Sequence, residues 1–184
     1  VDNVGKLVIL SGPSGVGKDT IIDSWAKVDP RIRRVVAYTT RAPRVGEVDG
    51  VDYHFVTVRR FTELADQGAF LEFKEVHGNF YATPLHDMEA MLAEGLVAIL
   101  KIDVQGALTA MELRPDALTI FLLPPSVDEL ENRIRGRGTD DPATIEKRLL
   151  NAREEIALAN HYRWRIVNDE IGEVVRQLEE IVSA

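Results

Sequence analysis

The chain has 184 residues, enough for one domain with a full core, and nothing in its length demands a second. Its formal charge of −8 argues against nucleic acid as the partner, and the lack of cysteine excludes disulfides and cysteine-ligated metals. No apolar run approaches membrane-spanning length and no signal-peptide pattern opens the sequence, so the expectation is a cytoplasmic protein with no membrane partner.

Leu7 to Leu10 is an apolar run that leads into Ser11, Gly12, Pro13, Ser14, Gly15, Val16, Gly17, Lys18, Asp19 and Thr20. Helical spacing of Ile21, Ile22, Trp25 and Ala26 follows. A buried strand, a glycine-rich turn and a helix in that order match the phosphate loop G-x-x-x-x-G-K-[ST]. The glycines allow successive backbone N–H groups to point inward at the positive end of the helix, where a polyphosphate would sit, and Lys18 would add a charge for its β and γ oxygens. Asp19 stands where a Ser or Thr hydroxyl would face magnesium.

Val35 to Thr40 reads as a second strand that runs into Arg41 and Arg44, and Gly46 to Gly50 is turn chemistry. Tyr53 to Val58 reads as a strand and about Arg60 to Asp66 as a short helix stopped by Gly68. Phe70 to Val76 is a strand with Glu72 between apolar neighbours. Thr83 and Pro84 look like the N-cap and first residue of a helix that runs to about Glu94. Leu96 to Asp103 is a nearly all-apolar strand interrupted by Lys101, and Leu118 to Leu123 is another strand. Ser126 and Glu129 form a capping box for a helix through Ile134, followed by the basic loop Arg135 to Thr139. Asp141 and Pro142 start a helix with Ile145, Leu149, Ala152, Ile156 and Ala159 on one stripe. Arg165 to Asn168 is a last strand, and Ile171, Val174, Val175, Leu178 and Ile181 mark a closing helix.

These elements predict an α/β fold: a phosphate-loop NTPase-type parallel sheet with helices on both faces, a mixed α/β insert and a short lid. The core would comprise about 1–35, 96–134 and 143–184, the insert about 36–90 and the lid about 135–142, all in one domain. Insert and lid would project from the carboxyl edge of the sheet, where a ligand binds. Lys18, Arg41, Arg44, Arg133, Arg137 and Arg148 are the cations expected there, suited to a transferring phosphoryl group. Arg133 could equally cap its helix or pair with Glu129 or Glu131. Arg31, Arg33, Arg34, Arg59 and Arg60 read as solvated charges. His54, His77, His86 and His161 lie too far apart for a local ligand pair and are assigned no role.

The segment Thr39 to Phe55, with Thr-Thr-Arg-Ala-Pro-Arg-Val-Gly-Glu-Val-Asp-Gly-Val-Asp-Tyr-His-Phe, resembles the signature of guanylate kinases. So do Gly78 to Pro84, Ile102 to Gly106, Leu123 to Ser126, Arg135 to Gly138 and Ile166 to Asp169, in the family's order and at its spacing, over about Lys6 to the C-terminus. The resemblance implies ATP-dependent phosphorylation of GMP, and of dGMP, with magnesium accompanying ATP, by a monomer or homodimer. It makes the insert a GMP-binding lobe, with Arg41, Arg44, Tyr53 and Tyr81 on the GMP phosphate and Glu72, Thr83 and Asp103 reading guanine. ATP would be held by Gly12 to Thr20, Arg133 and Asn168, while Lys18, Arg41, Arg44, Arg137 and Arg148 serve the transfer. Two other readings of such a chain are a phosphopeptide-binding domain without catalysis and a kinase with another acceptor, such as a ribose bisphosphate.

Three positions depart from the commonest family pattern. Ala37 replaces a serine that assists guanine binding, Asp19 replaces the hydroxyl after the loop lysine, and Lys101 replaces an acid two residues before Asp103. An unpaired ammonium in an apolar strand is costly, so Lys101 is expected to pair with Asp19, leaving Asp19 at most an outer-sphere contact of magnesium. The alternative is that Lys101 bends out to solvent and Asp19 is an ordinary acid at a helix N-terminus.

Overall fold

The structure, a computed structural model, describes residues 4–136, 138 and 140–184. The first half contains β1 (Lys6–Ser11), α1 (Lys18–Val28), β2 (Ile32–Arg34), β3 (Tyr38–Thr39), β4 (His54–Phe55), α2 (Val58–Asp66), β5 (Phe70–Val76) and β6 (Asn79–Pro84). After these come α3 (Leu85–Ala93), β7 (Val97–Lys101), α4 (Val104–Leu113), β8 (Leu118–Leu123), α5 (Val127–Gly136), α6 (Pro142–Ala157), β9 (Trp164–Val167) and α7 (Ile171–Ser183). Among the described residues, β2-β7-β1-β8-β9 form one sheet in that order, and every neighbouring pair in it is parallel. A second sheet has the order β4-β3-β6-β5, with β6 antiparallel to both its neighbours.

Alternation along β1 builds two cores. Val8 and Leu10 join Ile99, Ile120 and Leu122 under Ile21, Ile22 and Trp25 of α1 and Val174, Val175 and Leu178 of α7. Leu7 and Ile9 join Ala98, Leu100 and Phe121 on the other face, covered by Met88 of α3 and Ala107 and Ala110 of α4. Burying helices on both faces leaves the strand ends as the open edge, which is where the glycine-rich loop emerges. A third cluster, Leu130, Ile134, Ile145, Leu149 and Ala152, fastens α5 to α6.

Several elements differ from their sequence readings. The expected strand Val35–Thr40 is reduced to Tyr38–Thr39: β2 ends before it, at Arg34 in the main sheet, and β3 begins at Tyr38 in the second, so Val35 to Ala37 is the crossing between sheets. The strand expected over Tyr53–Val58 is only His54–Phe55, because Thr57 caps α2, accepting a hydrogen bond from the Arg60 amide at 3.1 Å. Thr83 does not cap a helix. It lies in β6, paired with Glu72 of β5, and α3 begins after Pro84. The helix α4 has no counterpart in the sequence reading. Its buried residues are Val104, Gly106, Ala107 and Ala110, and such small residues give a weak apolar signal. Arg135 continues α5, which runs to Gly136, and Ala159 lies beyond α6 in a short 3₁₀ turn. Ser126 accepts from the Glu129 amide at 3.0 Å, but the Glu129 carboxylate turns to Arg133 instead of closing the box.

Candidate active site

The loop after β1 takes the conformation its glycines allow. Gly17 is the left-handed N-cap of α1 with φ 99°, and a Cβ there would stand 2.9 Å from the Asn168 amide nitrogen. That nitrogen donates to the Val16 carbonyl at 2.6 Å, and Arg133 of α5 reaches the same oxygen at 3.4 Å. Asn168 and Arg133 therefore brace the loop from behind, and Arg133 also pairs with Glu129. Lys18 folds back to donate to the Gly12 carbonyl. Burial pushes its ammonium down to about 8, opposed chiefly by the carboxylate of Glu155 on α6. An enclosed cation with so few partners is matched to an anionic ligand.

The loop forms one wall of a cleft of about 440 Å³ whose opposite wall is the second sheet, with Arg44, Tyr53, Glu72 and Tyr81 among its lining. Arg41 is held in a two-pronged pair by Glu47, at 2.8 and 3.0 Å, and its guanidinium lies 5.3 Å from the centre of the Tyr53 ring. Glu47 also accepts from the Arg44 amide at 2.7 Å, so one carboxylate sets both arginines. The Tyr53 and Tyr81 rings meet edge-on at 6.0 Å. Deeper in the cleft Glu72 is buried, and the Thr83 hydroxyl donates to it at 2.9 Å. Burial pushes the Glu72 carboxyl up to about 7, with the Asp103 charge adding to the rise and Thr83 opposing it. Asp103 caps α4 through the amides of Gln105 and Gly106, both at 3.3 Å. A Cβ on Gly106 would stand 3.0 Å from a Glu72 oxygen and 3.2 Å from an Asp103 oxygen, so this glycine makes room for two carboxylates at one helix start.

Helix α6 approaches from the third side. Arg148 pairs with Asp140 and donates to the Ser14 hydroxyl of the loop at 3.0 Å. Two turns on, Glu155 lines the cleft, and burial raises its carboxyl despite the nearby Lys18. Arg137 falls outside the described residues. Pro13 lines the cleft and its carbonyl accepts from Val16, which is buried; Thr20 is exposed on the first turn of α1 and also lines the cleft.

Asp19 and Lys101 are partners: the ammonium donates to the carboxylate at 2.8 Å. Arg34 joins them, 2.9 Å from the same Asp19 oxygen and 3.6 Å from Asp23. The reading of Arg34 as a solvated charge is thus overturned, since β2 lies beside β7 and delivers its last residue to the end of Lys101's strand. Although burial opposes it, Lys101 and Arg34 hold the Asp19 carboxyl below its ordinary value. Both cations meet the same carboxylate oxygen, Oδ1, so Asp19 is committed to an ammonium and a guanidinium on that side. Among the described residues no cluster of three or more His, Asp or Glu side chains is arranged to hold a metal.

Sequence reasoning missed Arg34, Glu47 and Glu155 as site residues. Glu47 stood within the resembling segment, three residues after Arg44, which was a usable signal. Glu155 carried none, being one of several acids on α6.

A parallel sheet with a lysine-bearing loop at its carboxyl edge, facing arginines and tyrosines across a cleft, defines a phosphate-loop kinase of small molecules. The profile of the guanylate kinase family matches residues 4–184. A guanylate kinase of Clostridium perfringens is 45% identical over 183 residues, covering 100% of this chain and 85% of that protein. One from Aromatoleum aromaticum is 44% identical, covering 98% of this chain and 88% of its own length. The crystal structure of guanylate kinase from Anaplasma phagocytophilum superposes with a TM-score of 0.80 at 35% identity, over 98% of this chain and 85% of that one. The chain belongs to the guanylate kinase family.

Proposed function

We propose that the protein transfers the terminal phosphoryl group of ATP to GMP or dGMP. The observation that carries this reading is the buried Glu72 and Thr83 pair, which stands in the same cleft as the phosphate-loop lysine. A carboxylate there accepts from both the N1–H and the exocyclic amine of guanine, a pair of donors that adenine does not present together. The segment 36–90 is then the GMP-binding lobe, residues 135–142 the lid, and the remainder the core that holds ATP.

In the reaction a GMP phosphate oxygen attacks the terminal phosphorus of ATP in line, the bond to the bridging oxygen breaks, and ADP and GDP result. Arg41, Arg44, Tyr53 and Tyr81 hold the acceptor phosphate, the arginines kept in register by Glu47. Lys18 leaves the Gly12 carbonyl for the β and γ oxygens, and Arg148 and Arg137 offset the charge of the group in transit. Asn168 and Arg133 keep the loop's N–H groups directed inward. Magnesium bound with ATP would supply charge neutralisation at the phosphates, with Asp19, held by Lys101 and Arg34, at most an outer-sphere contact. Closure of lobe and lid excludes water, so the phosphoryl group goes to GMP and not to hydrolysis.

Intact Lys18, Arg148 and Ser14 contacts favour a kinase over a phosphopeptide-binding domain, which has no use for a phosphate loop. Production of ADP should be strong with GMP, weak with AMP and negligible with no acceptor. Turnover of a ribose bisphosphate in place of GMP, or no ADP from any acceptor, would overturn the reading.

A further inference from the structure

Asp19 is placed where a carboxylate works against nucleotide binding. It follows Lys18 on the first turn of α1, lines the cleft, and a bare negative charge there repels a triphosphate. The fold answers with two cations from neighbouring strands. Lys101 ends β7, opposite Leu10 of β1, and Arg34 ends β2, so both strand ends meet the loop at one edge. The two cations hold the carboxylate differently. Arg34 spans Asp19 and Asp23 and belongs to their side of the site, whereas Lys101 lies on the cleft side, 6.0 Å from the centre of the Tyr53 ring. Lys101 lines the same cleft as Lys18 of the loop and Arg44. Its ammonium is near enough to Lys18 to add to the lowering that burial causes there. An ammonium on a flexible four-carbon stem has three donors, and Asp19 uses one.

We propose that Lys101 is a phosphate-binding residue whose ammonium bridges Asp19 and the terminal phosphate of ATP, the place a divalent cation would take, so that ATP binding depends little on metal. This rests on ATP being the donor. Arg34 makes the arrangement workable, because Asp19 keeps a partner when Lys101 turns toward the phosphate. Neutralising Asp19 releases Lys101 from competition and strengthens its hold on ATP, while removing the ammonium leaves Asp19 facing the phosphates.

Calorimetric titration with ATP, in EDTA and in magnesium, tests this without turnover. Wild-type affinity should fall by less than about tenfold on removing the metal, since one charge close to a phosphate accounts for a change of that size. Lys101→Met should weaken metal-free binding by a further tenfold or so and magnesium-ATP binding by much less. Asp19→Asn should move the other way and tighten metal-free binding several-fold. An equal loss for Lys101→Met with and without magnesium makes the residue a structural partner of Asp19 and overturns the proposal. So does a weaker metal-free complex in Asp19→Asn, a variant that keeps its shape and can be read alone if Lys101→Met does not fold. GMP-dependent ADP production by the wild type, run alongside, shows whether the kinase reading stands when the bridging role fails.

Discussion

Glu72 is 7% exposed, the one buried residue of β5, and accepts a hydrogen bond from the Thr83 hydroxyl. Burial raises its carboxyl from the ordinary 4.5 to about 7, so below that pH the free protein holds mostly the neutral acid, whereas the proposed contact with guanine uses the anion. The stability contributed by the neutral form is fully present below 4.5 and lost as pH rises through about 7. Above that the ionised group costs the empty protein about 3 kcal/mol. Glu72→Gln should therefore raise the denaturation midpoint at pH 8, with little change at pH 4.5, while weakening GMP binding by about 1 to 3 kcal/mol. GMP affinity of the wild type should also fall about fivefold between pH 7 and pH 6 beyond any fall in Glu72→Gln, since titration of the GMP phosphate is common to both. Calorimetry on the two proteins at these pH values checks both statements, and a Glu72→Gln protein with wild-type affinity removes Glu72 from guanine recognition. Gly106→Ala is the companion experiment. Its methyl would crowd the Glu72 and Asp103 oxygens at 3.0 and 3.2 Å, so it should weaken GMP more than ATP, by displacing carboxylates it does not chemically alter.

Helix α6 ties chemistry to a mobile-looking sequence by ordinary helix rules. Asp141 caps it by accepting from the Thr144 amide at 2.7 Å, Pro142 fills the first position, and a buried stripe from Ile145 to Ala152 docks it on α5. That docking sets Arg148 on Ser14 and Glu155 in the cleft, two turns apart on one face. Arg148→Ala should lower kcat about a hundredfold or more with a smaller change in KM, as expected of a group that meets charge developing in transit. Steady-state kinetics with ATP varied decides it, and a rise in KM alone would reduce Arg148 to a binding contact. The cap, the proline and the stripe were all legible in the sequence because each is a local rule. Elements that obey no local rule were not: α4 hides its apolar face in Gly106, Ala107 and Ala110, and β6 ends in Thr83 and Pro84, a pair that reads as a helix start until Glu72 pairs across from it. The two-residue strands β3 and β4 exist only through their partners in the sheet.

At the scale of the molecule, strand order is what the sequence withheld. Phosphate loop, buried carboxylate and cleft arginines were readable from the sequence, yet Arg34 entered the site only because β2 is adjacent to β7, a neighbour relation that no spacing encodes. Asp19, Arg34 and Lys101 come from three separate segments and meet at one sheet edge, which makes their coupling a test of the assembled fold. Asp19→Ser leaves Lys101 without its acid, and Lys101→Asp sets a second carboxylate against Asp19. Each single change should lower the thermal midpoint. The double variant should recover much of the loss, because a hydroxyl on the loop and an acid on the strand no longer conflict. The interaction energy from urea denaturation of the four proteins should be about 0.5 to 1 kcal/mol, at the lower end for contacting charges because the Asp19 side chain is 62% exposed and screened by water. The double variant should also bind ATP with a strong dependence on magnesium, since the hydroxyl and the new carboxylate are both oxygen ligands suited to that ion and the bridging ammonium is gone. Strictly additive stabilities would mean that the 2.8 Å contact carries no energy, whatever its geometry, and Lys101 would then owe its place at the strand end to the cleft alone.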